Sequence, residues 1–338
     1  MNILISRTDG LGDVILALPM IPVIKENIPD SKIFFLTSEK YQSLLNNYKD
    51  IDEFIYIEKY NSISKLKNYI KSKNIDVSVS VFPVFKIASA FYLAGVKTRI
   101  GTAYRWYSFL FNNKVFEHRK YSTMHESEYN LNLLKPLSSN ITTQQPAWSN
   151  NLKRFYFDYT ETESENLKRK LEKSGFDINS NYIIIHPGSK SSAKDLPLNK
   201  LNNYINRFLK NISDFKIVIT GTKEEKTISE KIISSTDENS NGRIFSFIDC
   251  LTLKELLILI DKSKLFISNS TGPLHMAGAL NKNIICFFPN SKPMNPERWK
   301  PLSENPVIFT PEKDDDMSTI NPENIIKSTI NILKPFIK

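Results

Sequence analysis

The first group able to do chemistry is a carboxylate set directly behind a glycine turn. Residues 2–6, NILIS, read as a short buried strand, and Arg7-Thr8-Asp9-Gly10-Leu11-Gly12-Asp13 follows. Beyond it VILALPMIPVIKENI continues with helical apolar spacing. Two glycines let the chain turn sharply between strand and helix. Asp13 therefore falls at or near a helix start. It is either a first-turn residue stabilised by the helix dipole or a carboxylate serving as a general base. The pattern Gly10-x-Gly12-x-x-Ile15 lacks the third glycine of the dinucleotide fingerprint.

A second group is cationic. In YIIIHPGSKSSAKDLP (182–197) an apolar run breaks at His186-Pro187-Gly188 into a small polar loop with Ser189, Lys190 and Lys194. Backbone N–H and ammonium groups gathered where a strand ends suit an anionic ligand such as a diphosphate. The plain alternative is a loop with solvated lysines.

A third segment, KLFISNS (264–270), reads as a strand and runs through Thr271-Gly272-Pro273-Leu274-His275 into MAGALN. Thr271 or Ser270 can cap that helix, Pro273 fits its first turn, and the open N–H groups there attract anions. Glu224 and Glu225 follow a further strand end at Gly221. Either can accept hydrogen bonds from ribose hydroxyls, or both are ordinary first-turn residues. His275 reads as a residue bonding backbone rather than as a base.

These turns need strands that end on a common side. In the first half, strands at 2–6, 32–37, 53–57 and 76–81 alternate with helices at 13–27, 39–48, 61–73 and 86–94. In the second, strands at 182–186, 216–220, 243–247, 264–268 and 283–288 alternate with helices at 223–234, 252–261 and 273–280. Such alternation predicts parallel strands with helical crossovers. Thr160 and Glu163 make a capping box and Gly175 a stop for a helix over 160–175. The expected division is 1–175, 176–320 and a final helix within 321–338. Residues 102–121 are aromatic and basic and read as an irregular loop packed on the core, or as lining for an acceptor groove.

In order and over nearly the whole chain, LISRTDGLGDVILALP, AGVKTRIG (94–101), IIIHPGSKSSAKDLP, LTLKELLILIDKSKLFISN (251–269) and LFISNSTGPLHMAGAL resemble glycosyltransferase family 9, the heptosyltransferase family of lipopolysaccharide core assembly. The resemblance implies an α/β fold of GT-B architecture, two Rossmann-like domains with parallel sheets facing across a cleft. The N-terminal domain would bind the acceptor and the C-terminal one the nucleotide sugar, with the last helix crossing back to the first domain. It implies inverting, metal-independent transfer from ADP-heptose to a Kdo–lipid A type inner core, with no cofactor beyond the donor. Asp13 matches the proposed base, and Lys194 the lysine that contacts donor phosphate or stabilises Asp13. The donor subsite would comprise Gly12, His186, Gly188, Ser189, Glu224, Glu225, Ser270, Thr271, Gly272, Pro273, Leu274 and His275.

Three departures bear on the sugar. Ser270 stands where many members carry aspartate, Leu196 replaces an aromatic residue, and 287–301 lacks the usual glycine. Alternatives are therefore another nucleotide sugar serving other surface glycans, or a non-catalytic nucleotide-sugar-binding protein.

Composition sets bounds. A chain of 338 residues, 41% hydrophobic, can bury two cores of ordinary domain size. Cys250 and Cys286 lie in apolar contexts without metal-ligand spacing and read as reduced core thiols. No basic-then-apolar leader opens the chain, and no apolar run approaches the roughly 18–20 residues of a membrane span. The net charge of +9 reads as attraction to an anionic leaflet or glycolipid, or as solvated helix faces such as 65–74. No nucleic-acid motif accompanies it. The expected place is the cytoplasm, peripheral at the inner face of the inner membrane. The run Asp314-Asp315-Asp316 reads as solvated surface.

Overall fold

Short runs rich in Ile, Leu, Val and Phe, each followed by a crossover, give two six-stranded sheets whose recorded pairings are all parallel. The computed structural model describes residues 1–46, 48–137, 157–189, 193–236 and 242–337. They divide into two compact units, 1–157 and 158–337.

The first sheet holds β1 (Asn2–Ser6), β2 (Lys32–Thr37), β3 (Glu53–Tyr56), β4 (Val77–Ser80), β5 (Thr98–Thr102) and β6 (Asn113–Val115), in the order β3-β2-β1-β4-β5-β6. The second holds β7 (Tyr182–His186), β8 (Lys216–Gly221), β9 (Ile244–Ile248), β10 (Leu265–Asn269), β11 (Ile284–Phe287) and β12 (Val307–Phe309). Its order, β12-β11-β10-β7-β8-β9, repeats that of the first sheet. In both, the winding reverses beside the first strand of the unit, between β1 and β4 and between β7 and β10. Open α/β sheets bind ligands beyond the carboxyl ends of the strands at such a point. The chemistry-bearing turns after β1, β7 and β10 all lie there.

Burial explains the strand composition. Ile3, Leu4 and Ile5 are fully buried, and every residue of β7 is buried. Strands covered on both faces need continuous rather than alternating apolar runs.

Several expectations change. The helix expected over 13–27 is two pieces, Leu11–Ile15 and Met20–Asn27. Pro19 has no N–H to continue the ladder, and the intervening turn uses three-residue bonds such as Ala17 N–H to the Val14 carbonyl, 3.0 Å. The helices Glu126–Asn132 and Leu198–Asn211 and the strands β5, β6 and β12 are additions to the expected elements. The units divide at 157/158 rather than 175. The helix Glu161–Glu172 groups with the second unit, where Lys170 pairs with Glu255 at 2.9 Å and Tyr159 donates to Asp261 at 2.6 Å.

The C-terminal helix Pro322–Leu333 packs on Leu198–Asn211 of its own unit. There Ile325, Ile326 and Leu333 join Tyr204, Ile205 and Phe208 in one core. Tyr204 Oη and Thr329 Oγ1 lie 3.1 Å apart inside it. Removing a side chain such as Phe208 from a core of this kind costs about 3–5 kcal/mol. Cys286 is buried, which pushes its thiol well above the ordinary range, but Cys250 is exposed rather than in the core.

Candidate active site

In the first unit β1 ends at Ser6, and the next residue, Arg7, is buried with three carboxylates around it. Arg7 Nε donates to Asp9 Oδ1 at 2.8 Å and Nη1 to Glu126 Oε1 at 3.0 Å, while Nη2 donates to Asp13 Oδ1. Glu126 is fully buried and also accepts from Arg119 Nη1. Asn130 presents its Oδ1 to Arg119 Nη1 at 2.9 Å. Charges this deep are tolerated only when paired and hydrogen-bonded.

The pairing sets the protonation states. Burial opposes the Arg7 charge, yet Glu126, Asp13 and Asp9 together hold its pKa above the ordinary value. Burial pushes the Asp9 carboxyl up to about 6, Arg7 opposing and Asp13 adding to the rise. Glu126 is sealed, whereas the Asp13 side chain keeps 25% exposure and can reach a substrate. The Asp13 carboxylate folds over Gly10, where a Cβ would come within 2.6 Å of Oδ2. Gly12 is buried in the short helix carrying Asp13.

In the second unit the loop after β7 is pinned by Asn269, the last residue of β10. Its Nδ2 donates to the Pro187 carbonyl at 2.6 Å and its Oδ1 accepts the Leu196 N–H at 2.9 Å. His186 is buried, with Nδ1 3.0 Å from Thr220 Oγ1. Ser189 Oγ donates to the Ala193 carbonyl at 3.1 Å. Lys194 Nζ lies 3.2 Å from Asp315 Oδ2. Asp315 also accepts the Ser291 N–H at 2.8 Å, and these hydrogen bonds hold its carboxyl below the usual range. Asp315 is thus partly buried against Lys194 rather than solvated surface, while Asp314 and Asp316 are exposed as expected.

Thr271 rather than Ser270 caps the helix Gly272–Ala279, accepting the Leu274 N–H on Oγ1 at 3.2 Å. That contact engages the Leu274 donor expected to face phosphate, and Pro273 has none. The cap thus leaves the N–H groups of Thr271 and Gly272 as the first-turn donors it does not itself engage. Buried His275 packs near Trp299. Of the two glutamates, Glu225 is buried and takes the Thr222 N–H on Oε2 at 2.7 Å, while Glu224 is exposed. A Cβ at Gly188 would come within 2.8 Å of Glu225 Oε1, so glycine permits the loop to approach that carboxylate.

A family model described as "Glycosyltransferase family 9 (heptosyltransferase)" matches residues 63–327. The chain belongs to glycosyltransferase family 9. It is similar to a Haemophilus influenzae protein with a provisional glycosyltransferase name, 29% identical over 90% of this chain and 86% of that one. It is also similar to lipopolysaccharide heptosyltransferase 1 of Campylobacter coli, 24% identical over 97% of each chain. Its fold is that of the Escherichia coli ADP-heptose lipopolysaccharide heptosyltransferase II, with TM-score 0.82, 18% identity and coverage of 99% of both chains.

As a family 9 glycosyltransferase of GT-B fold, the chain carries its candidate groups in two sets. Asp13 and Gly12 lie in the first unit. Lys194, His186, Gly188, Ser189, Glu225, Ser270, Thr271 and Gly272 border the carboxyl ends of β7, β8 and β10 in the second. Lys190 lies outside the described residues. Sequence reasoning missed Arg7, Glu126, Arg119, Asn130, Asn269 and Asp315 as site residues. The only local signal was Arg7 immediately after an apolar strand. Among the described residues, no helix is long and apolar enough to cross a membrane.

Proposed function

We propose that this glycosyltransferase moves a heptose from ADP-heptose to a lipid-linked, Kdo–lipid A type acceptor, in one inverting displacement with Asp13 as the base. The acceptor hydroxyl gives its proton to Asp13 while its oxygen bonds to the anomeric carbon. The bond from that carbon to the diphosphate breaks, and the electron pair leaves with ADP. The observation carrying this reading is the Arg7–Asp13 pair just past β1, at the winding reversal of the first sheet. A guanidinium on one carboxylate oxygen orients the group toward its proton-accepting role.

The diphosphate binds the loop after β7, where Lys194 and the N–H groups of Thr271 and Gly272 supply positive potential without a divalent cation. Lys194 exchanges Asp315 for phosphate as the donor arrives. Glu225, beside Gly188, accepts the ribose hydroxyls. The names of the Campylobacter coli and Escherichia coli relatives support a lipopolysaccharide acceptor. The net charge of +9 supports work at an anionic cytoplasmic leaflet.

Ser270 favours a second reading, a different sugar on the donor. A hydroxyl replaces a carboxylate, and charge-assisted hydrogen bonds are the stronger ones. The test is kcat/KM for ADP-heptose, other ADP-sugars and UDP- and GDP-sugars, with wild type and Ser270→Asp, EDTA present, and the product anomer read by NMR. ADP-heptose should lead the panel, with higher selectivity in Ser270→Asp and an inverted product. Preference for another donor selects the second reading. Retention of configuration or a strict cation requirement removes the mechanism.

A further inference from the structure

Five large aromatic side chains stand in solvent at the carboxyl end of the β4-β5-β6 half of the first sheet. Phe85 opens the helix after β4, Tyr104 and Trp106 follow β5, and Phe116 and Tyr121 follow β6. Trp106 is 74% and Phe116 72% exposed, and Phe85, Tyr104 and Tyr121 are exposed as well. The rings form two groups, one of Phe85 with Trp106 and one of Tyr104, His118, Phe116 and Tyr121. Phe85 stacks on Trp106 with centroids 4.9 Å apart, and Tyr104 stacks on His118 at 3.5 Å and meets Phe116 edge-on at 6.3 Å. His118 in turn meets Tyr121 at 5.5 Å. Scattered exposed apolar residues need no explanation, but a contiguous patch marks an interaction surface.

The patch has a firm base. Tyr107, Leu110 and Phe111 pack with Ala88 in a small core, and Tyr107 Oη donates to the Pro83 carbonyl at 2.7 Å. Only part of the 102–121 segment therefore packs inward as its sequence suggested. The remainder is presented outward on a rigid support.

Its charge is one-sided. Arg105, Lys114 and Lys120 are exposed around the rings, with Lys120 Nζ 5.0 Å from the Tyr121 centroid, and Glu117 is the single acid of 102–121. Exposed Trp, Tyr and Phe beside Lys and Arg match the interfacial zone of a bilayer with anionic headgroups. The same segment reaches the proposed base. Arg119 and Arg7 donate to one oxygen of Glu126, and Arg7 donates to Asp13. In the order β1-β4-β5-β6 the patch is one to three strands from β1, roughly 5–15 Å at the usual strand spacing.

We propose that Phe85, Tyr104, Trp106, Phe116 and Tyr121 form an interfacial anchor that seats the first unit on an anionic phospholipid bilayer. The headgroup sugar of a membrane-held acceptor is then delivered to Asp13. This rests on the reading of a lipid-linked acceptor.

Co-sedimentation of the full chain with vesicles tests it, using phosphatidylcholine alone and phosphatidylcholine mixed with phosphatidylglycerol. The wild type should sediment with the mixed vesicles and far less with the neutral ones. The double substitution Trp106→Ser, Phe116→Ser should lower partition at least about tenfold. Neutralising Arg105, Lys114 and Lys120 to Gln should lower it by about fivefold per charge. Both variants should melt like wild type and keep its turnover on a deacylated, water-soluble acceptor. A wild type that ignores mixed vesicles, or an aromatic variant that sediments equally well, overturns the anchor. So does a single-stranded oligonucleotide that displaces the vesicles, since exposed rings with cations also stack bases. Absent turnover of the soluble acceptor with patch-dependent vesicle binding would sink the proposed heptosyl transfer to that acceptor and leave the anchor standing.

Discussion

Glu126 holds Arg7 with its Oε1 3.0 Å from Nη1, although 119 residues separate the two in the chain. Arg7 carries that restraint to Asp13 and Asp9 through its other two donors. A fully buried acid thus fixes the edge of the guanidinium that faces the candidate base. Glu126 acts on Asp13 through Arg7, which makes it a positioning residue.

Replacing Glu126 by Gln keeps the shape and removes the charge, leaving Arg7 and Arg119 without their shared counter-ion. Breaking a buried pair of this kind costs about 3–5 kcal/mol, so urea unfolding should show a clear loss of stability. Since Asp13 is then less well placed, kcat should fall roughly ten- to hundredfold while KM for the donor changes little. A loss of stability with kcat unchanged would leave Glu126 as packing alone.

Asp13→Asn removes the proton acceptor without changing size. Loss of a general base lowers kcat by roughly 10²–10⁴-fold, and the donor dissociation constant should stay near that of wild type because the proposed base acts on the acceptor hydroxyl. Pre-steady-state transfer measured at saturating donor gives the comparison. Turnover within a few-fold of wild type would take Asp13 out of the reaction.

Asp9 gives a pH signature. Its carboxyl moves from 3.8 to about 6 on folding, chiefly through burial. The folded chain therefore binds this proton more tightly than the unfolded chain. Its contribution to stability is greatest below 3.8 and is lost as pH rises through about 6. Asp9→Asn cannot ionise, so its melting temperature should gain on wild type across that window. Parallel Tm–pH curves for the two proteins would contradict the buried, proton-retaining carboxyl.

Lys194 is half exposed and its pair with Asp315 lies near the surface, a class of ion pair worth about 0–1 kcal/mol. Lys194→Ala should hardly move the melting temperature but should weaken ADP binding, with adenosine affinity unchanged. Isothermal titration with both ligands decides. Equal losses for ADP and adenosine would mean that the lysine does not read phosphate.

What could be read from the sequence was local. The runs 2–6, 182–186 and 264–268 show themselves as strands because burial on both faces demands unbroken apolar residues, and β1, β7 and β10 stand there. Caps such as Thr160 with Glu163, or Thr271 with the Leu274 N–H, close within one helical turn, so neighbouring residues suffice to predict them. The ordered motifs identified the family for the same reason.

The network around Arg7 had no such signature. Glu126 and Asn130 reach it from 119 and 123 residues away, and Asp315 comes to Lys194 from beyond β12. Parallel pairing gathers distant strand ends on one edge of a sheet, and only the completed strand order decides which loops meet there. The exposure of Cys250 and the outward rings of Tyr104, Trp106 and Phe116 have the same origin. Hydrophobicity belongs to a residue, but burial belongs to what folds over it.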